Sequence, residues 1–176
     1  MDRINRLKYA QIESERRFLL KDLPGDLDAG VFWRITDKYI PGTHLRLRTV
    51  AAPDGTVQAR KFTQKYKQPD QATHEATITN FYLDEAEFAV LDALPGMLLV
   101  KRRYRYPHGD LAYSLDVFEG NLEGLVLAEL ESTTAGEAAL PAFVARDVTA
   151  DPAFNGGTLA RLTRAEFLVW FTEQVG

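Results

Sequence analysis

Residues 12–20 read Ile12-Glu13-Ser14-Glu15-Arg16-Arg17-Phe18-Leu19-Leu20, and this stretch decides how the chain folds. It reads as a strand, in which side chains alternate between faces, so Glu13, Glu15 and Arg17 point the same way. At a rise of about 3.3–3.4 Å per residue, the two glutamates stand roughly 7 Å apart and repel. Holding them on one face suggests a cation shared between them.

The rest of the chain repeats the pattern with both signs. Strands are expected over 9–20, 43–51, 56–67, 72–80, 98–107, 111–119 and 125–133, with a shorter one near 34–40. Pro41-Gly42, Pro53-Asp54-Gly55, Pro69-Asp70, Pro107-His108-Gly109-Asp110 and Gly120-Asn121 supply the turns. Such short connections imply an antiparallel meander. Asp84 with Glu87 forms a capping box and Leu83 with Phe88 a hydrophobic staple, opening a helix that ends at Pro95-Gly96. Thr163 with Glu166 opens a second helix, to about Gln174, with Ala165, Leu168, Val169 and Phe171 near one stripe. A weaker helix is expected around Leu27–Trp33, and 150–158 are expected to be irregular.

Splitting each strand by parity sorts the charges. His44, Arg46 and Arg48 oppose Leu45, Leu47 and Thr49. Lys61, Thr63, Lys65 and Lys67 oppose Phe62 and Tyr66, and Lys101, Arg103 and Arg105 oppose Val100, Tyr104 and Tyr106. Ser114 and Asp116 oppose Tyr113, Leu115 and Val117, while Glu129 and Glu131 oppose Val126, Ala128 and Leu130. Strand 72–80 adds Glu75. A solvated polar face explains any single strand. It does not explain the sorting, because like charges beside one another cost roughly 0.2–1 kcal/mol per pair. Carboxylates suit divalent metal ions, and arginine and lysine suit phosphate. Both sets in one antiparallel sheet suggest a metal–polyphosphate complex between them. A sheet of about eight strands can close around one small ligand.

The bulk properties fit one soluble domain of α+β class, mainly antiparallel β, built as an eight-stranded closed barrel with flanking helices. The chain has 176 residues, 45% hydrophobic and 26% charged, with a net charge of −4 and no cysteine. Disulfides, thiolate zinc sites and a cysteine nucleophile are therefore excluded. No apolar run approaches the ~18 residues of a membrane helix, and Met1–Arg6 lacks the apolar segment of a signal peptide. A cytoplasmic protein with no nucleic-acid or membrane partner is expected, and a homodimer is left open.

The motifs resemble, in order, those of the CYTH superfamily, the triphosphate tunnel metalloenzymes. Glu13-x-Glu15-x-Arg17 resembles its Glu-x-Glu-x-Lys signature, with arginine in place of lysine. Arg46-Leu47-Arg48 is similar to its Arg-x-Arg strand, Thr63-Gln64-Lys65 to its Thr-x-Lys strand, and Lys101-Arg102-Arg103-Tyr104 to its Lys-x-Arg-Tyr strand. Asp116-Val117-Phe118 and Gly124–Glu131 resemble its acidic strands, and Asp147–Asp151 with Phe154-Asn155 a tail of its bacterial members. The resemblance covers roughly residues 12–160, within a single domain of residues 1–176.

The resemblance implies a triphosphate held inside the barrel with Mg²⁺ or Mn²⁺. Glu13, Glu15, Glu129 and Glu131 would hold metal, with Asp116 orienting it or binding directly. Arg17, Arg46, Arg48, Lys65, Lys101 and Arg103 would grip phosphate, and Tyr39 with Lys65 would assist hydrolysis. Inorganic tripolyphosphate is the expected substrate. The alternatives are a class IV-type adenylyl cyclase, a thiamine or nucleoside triphosphatase, and a non-catalytic polyphosphate-binding module. The family pattern has more than one glutamate in many members where residues 75–79 read Glu-Ala-Thr-Ile-Thr. His44 is a candidate phosphate contact, His74 and His108 are expected at the surface, and Trp33 and Trp170 are expected to pack. Gly156-Gly157 is read as a turn, since the Lys-Ser/Thr of a phosphate loop does not follow it.

Overall fold

Each expected strand forms, and the sheet they make closes on itself. A computed structural model describes residues 7–131 and 140–175; positions 132–133 of the expected strand 125–133 lie outside them. In chain order the elements are β1 (Gln11–Leu20), β2 (Trp33–Tyr39), β3 (Leu45–Ala51), β4 (Val57–Tyr66), β5 (Glu75–Tyr82), α1 (Glu85–Asp92) and β6 (Met97–His108). There follow β7 (Leu111–Phe118), β8 (Val126–Glu131), β9 (Val144–Asp147), α2 (Gly156–Leu159) and α3 (Arg164–Val175). Among the described residues the strand order is β5-β4-β3-β2-β6-β7-β8-β1, and β1 pairs back with β5. Eight antiparallel strands therefore form a closed barrel. Gly42 and Gly109 take the positive φ values, 71° and 58°, that their hairpin turns require.

Closure depends on β1 sharing its edges. Gln11–Ser14 pair with β5, and Glu15–Leu19 pair with β8. The edge that β5 leaves is taken by β9, a short ninth strand that the sequence pattern does not announce. The Glu15 amide donates to the His74 carbonyl at 2.8 Å, and the Val148 amide donates to the Arg17 carbonyl at 2.9 Å. Residue 17 thus marks where one neighbour hands over to the other.

Register sets the two faces. Arg17 stands opposite Glu129, Arg103 opposite Asp116, and Asp37 opposite Arg48, so the charged parity of each strand faces inward. Phe18, Leu20, Tyr104, Tyr113, Leu115 and Leu130 face outward, where Leu27, Phe32, Phe143 and Val144 cover them. The cover is therefore loop and β9. Residues 27–32 form no helix, and Trp33 begins β2 at 47% exposure instead of packing.

The helices contribute unequally. α1 has its capping box, Asp84 accepting from the Glu87 amide, but buries none of its residues. α3 buries Phe167 fully, with Trp170 and Phe171 packed beside it. Leu168 and Val169, expected on the packing stripe, are exposed, because the buried stripe runs 167, 170, 171 at helical spacing. Phe154 joins this core from a 3-10 turn, Pro152–Phe154, so the stretch expected to be irregular contains two short helices. No helix among the described residues is long and apolar enough to cross a membrane.

Replacing Phe167 by Ala is expected to lower the unfolding free energy by about 3–5 kcal/mol. Val169→Ala should stay within about 0.5 kcal/mol. Urea denaturation of the two variants checks the assignment of the buried stripe.

Candidate functional site

The inward-facing charges surround a cavity of about 750 Å³. Glu13, Glu15 and Arg17 reach it from β1, Arg46 and Arg48 from β3, and Lys65 from β4. Lys101 and Arg103 come from β6, Glu129 from β8 and Tyr39 from β2. The rim includes Thr43, His44, Tyr66 and Lys67 on one side and residues from Thr149 to Arg161 on another. His74 also lines the cavity, where the sequence reading placed it at the surface.

Nearly every interior charge has an opposite partner. Lys65 bonds Glu13 and stands 3.8 Å from Glu15. Arg17 donates to Glu15 at 2.7 Å and lies 3.7 Å from Glu129. Arg103 bonds Glu129 and grips Asp116 with a two-pronged fork at 2.7 and 2.6 Å. Lys101 bonds Asp116 as well. The sorting of charge within strands is real, and strand pairing then sets opposite signs against one another.

Asp37 belongs to this network, although the strand patterns did not mark it. Its carboxylate is 1% exposed and accepts from Arg48 at 2.6 and 2.7 Å, with Arg46 3.5 Å away. Its parity with Tyr39 on the short strand 34–40 was the available signal. Asp116 is likewise fully buried, and its two oxygens are taken by Lys101 and Arg103. It stands behind the cavity wall and does not line it. Glu131, opposite Glu15, is exposed and also lies outside the lining. Ala76 and Ile78 hold the positions of β5 opposite Glu13 and Gln11, and Glu75, opposite Ser14 at the start of the strand, also lines the cavity.

These pairings shift protonation. Burial alone would push Asp37 up, but Arg48 and Arg46 outweigh it and hold the carboxyl far below its ordinary value. Burial would also raise Glu129, yet Arg103, Lys101, Arg17 and Lys65 hold it well down. Lys101 is lowered by burial and then by Arg103, against the pull of Asp116 and Glu129. Lys65 is raised, since Glu15 and Glu13 overcome its burial. Tyr39 is raised by burial and by Asp37, so its hydroxyl keeps its proton. A Cβ on Gly156 would sit 2.0 Å from that hydroxyl, so a bare glycine leaves Tyr39 its room. Tyr39 is the cross-strand neighbour of Arg46, while Lys65 is held by the glutamates of β1.

The donor set suits a hard cation. Glu13, Glu15 and Glu129 face one cavity, and their oxygens match the preference of Mg²⁺ or Mn²⁺. Among the described residues, however, no three acidic or histidine side chains are gathered as a metal-binding group. Each carboxylate is engaged by an arginine or lysine instead. Arg46 Nε is buried and makes no hydrogen bond, and its nearest carboxylate is that of Asp37 at 3.5 Å.

No family model and no curated protein matches the chain. Among solved structures, it is similar to one described as the hypothetical protein NE1496, at a TM-score of 0.57 and 26% identity over 86% of this chain and 99% of that one. A second, described as the inorganic triphosphatase NE1496, gives a TM-score of 0.55 and 26% identity over 84% and 93%. The closed eight-stranded barrel, the ordered motifs along it and this likeness agree with the resemblance to the CYTH superfamily.

Depressed carboxyl values give stability that is complete above the unfolded values of about 4 and lost as pH falls through the folded ones. Unfolding free energy should therefore drop as pH falls from about 5 towards 2, and Asp37→Asn should flatten that slope. At pH 7 the same variant should cost about 3–5 kcal/mol, because it leaves buried arginines without their counter-charge. Denaturation across pH measures both effects.

Proposed function

We propose that the protein hydrolyses the terminal phosphoanhydride of a triphosphate held inside the barrel, with Mg²⁺ or Mn²⁺ and with inorganic tripolyphosphate as its substrate. The observation that carries this reading is the set of cations Arg46, Arg48, Lys65 and Arg103 sharing one 750 Å³ cavity with Glu13, Glu15 and Glu129. The likeness to a protein described as an inorganic triphosphatase supports it.

Phosphoryl transfer needs positioning and charge neutralisation more than covalent help. Arg46, Arg48 and Arg103 present guanidinium groups to the phosphate oxygens, and Lys65 adds a point charge. Asp37 and Asp116 fix those groups from behind, so that they cost no reorganisation when charge develops. A polyphosphate that takes over Lys65 and Arg103 frees Glu13 and Glu129, and these with Glu15 would hold the metal. When bound, the metal supplies Lewis-acid neutralisation of phosphate charge. A β1 carboxylate accepts a hydrogen bond from the attacking water. Tyr39, kept protonated, donates one to a phosphate oxygen. The water oxygen bonds to the terminal phosphorus as the anhydride bond breaks, giving pyrophosphate and orthophosphate.

A phosphate-release panel should compare tripolyphosphate, ATP and thiamine triphosphate with Mg²⁺ and with Mn²⁺. Tripolyphosphate is expected to be turned over fastest. Glu129→Gln and Lys65→Ala should each lower the rate by about 10²-fold or more, the cost typical of removing one electrostatic contact to the reacting group. Release from none of the three, or cyclic AMP from ATP without orthophosphate, would overturn the hydrolase.

A further inference from the structure

Arg17 holds more than a phosphate-binding position. Its backbone amide donates to Thr149 Oγ1 at 2.9 Å, and its carbonyl accepts from the Val148 amide at 2.9 Å and the Thr149 hydroxyl at 3.3 Å. Its side chain reaches the far end of the same segment. Nη1 donates to the Phe154 carbonyl at 3.0 Å and to Asn155 Oδ1 at 3.1 Å, while Nη2 donates to Glu15 at 2.7 Å and Nε faces Glu129 at 3.7 Å. One residue thus fastens both ends of 148–155 and, through the same guanidinium, touches two carboxylates that line the cavity.

Asn155 carries the second observation. It occupies the N-cap position of α2, where an asparagine side chain ordinarily accepts from the helix's first amides. It makes no such cap, and its Oδ1 accepts from Arg17 instead. The segment it begins lines the cavity through Asn155, Gly156, Gly157 and Thr158, and Gly156 sits against the Tyr39 hydroxyl. A lysine at position 17 has three donors on one nitrogen, too few and too close together for the four oxygens of Glu15, Glu129, Phe154 and Asn155 that the guanidinium meets.

We propose that Arg17 is a positioning residue that couples anion binding in the cavity to the order of the 148–159 wall. An anion that competes with Glu15 and Glu129 for the guanidinium meets a group already anchored in that wall, so binding tightens it. The coupling rests on the proposed triphosphate site for its ligand, and concerns what that ligand does to the protein beyond hydrolysis.

Amide hydrogen exchange tests it, read at Leu159 and Ala160, whose amides bond the Asn155 and Gly156 carbonyls. Without ligand, Arg17→Lys should exchange there about tenfold faster than the wild type, the effect of losing one net hydrogen bond. Tripolyphosphate with Mg²⁺ should slow exchange at these amides in the wild type. In Arg17→Lys, calorimetry should still detect binding, but the slowing should be absent. Asn155→Ala, which keeps the contacts of Arg17 with Glu15 and the Phe154 carbonyl and removes only the one to Oδ1, should exchange faster than the wild type and be slowed less by ligand, and it serves if Arg17→Lys fails to fold. Equal exchange in wild type and variants, or variants that loosen yet respond to ligand as fully as the wild type, would overturn the coupling. So would a wild type that binds tripolyphosphate with no change at these amides. Binding with a wall response but no phosphate release would refute the hydrolase and leave the coupling standing. Hydrolysis without a wall response would do the reverse.

Discussion

Ion pairing inside a closed barrel is the constraint on which the rest of the structure depends. Each charge taken out of water costs several kcal/mol unless its partner and hydrogen bonds come with it. Asp37 and Asp116 are almost wholly buried, and each holds two cations. The barrel can carry a charged interior only because strand register sets acids against bases. Arg103 opposes Asp116, Arg48 opposes Asp37, and Arg17 opposes Glu129. A slip of one residue would turn every one of these side chains outward and put the aromatic face inside.

The pairs divide by what stands behind them. Asp37 and Asp116 are the fixed part, since both are buried and lie outside the cavity lining. Glu13, Glu15 and Glu129 are the exchangeable part, because they share their cations with the cavity. On the proposed function, an anion with several charges would displace those three while the two behind stay in place. The C-terminal segment completes the enclosure, and its attachment runs through residue 17, the position at which β1 passes from β5 to β9.

Most of the barrel was legible because strand alternation is a strong signal and the charges follow it. Parity alone put Glu13, Glu15, Arg46, Arg48, Lys65, Lys101, Arg103 and Glu129 on one face. What escaped depends on three-dimensional company. β9 is four residues long, Val144–Asp147, too short for its alternation to stand out, and it exists because β1 has half an edge to spare. Asp37 sits in the shortest of the expected strands, between Thr36 and Lys38, and only its pairing with Arg48 gives it meaning. The helix expected at Leu27–Trp33 fails because Leu27 and Phe32 are drawn onto the outer aromatic cluster from an irregular loop. Leu168 and Val169 are apolar yet exposed, since Phe167 and Trp170 already fill the contact with Phe154.

The most direct measurement is a crystal structure of the protein with tripolyphosphate and Mn²⁺. The expected density places the anion inside the barrel, with Arg46, Arg48, Lys65 and Arg103 on its oxygens and the Lys65–Glu13 pair opened. An anion bound elsewhere, or one inside that leaves Lys65 on Glu13 and Arg103 on Glu129, would contradict an interior built to exchange its own carboxylates for phosphate.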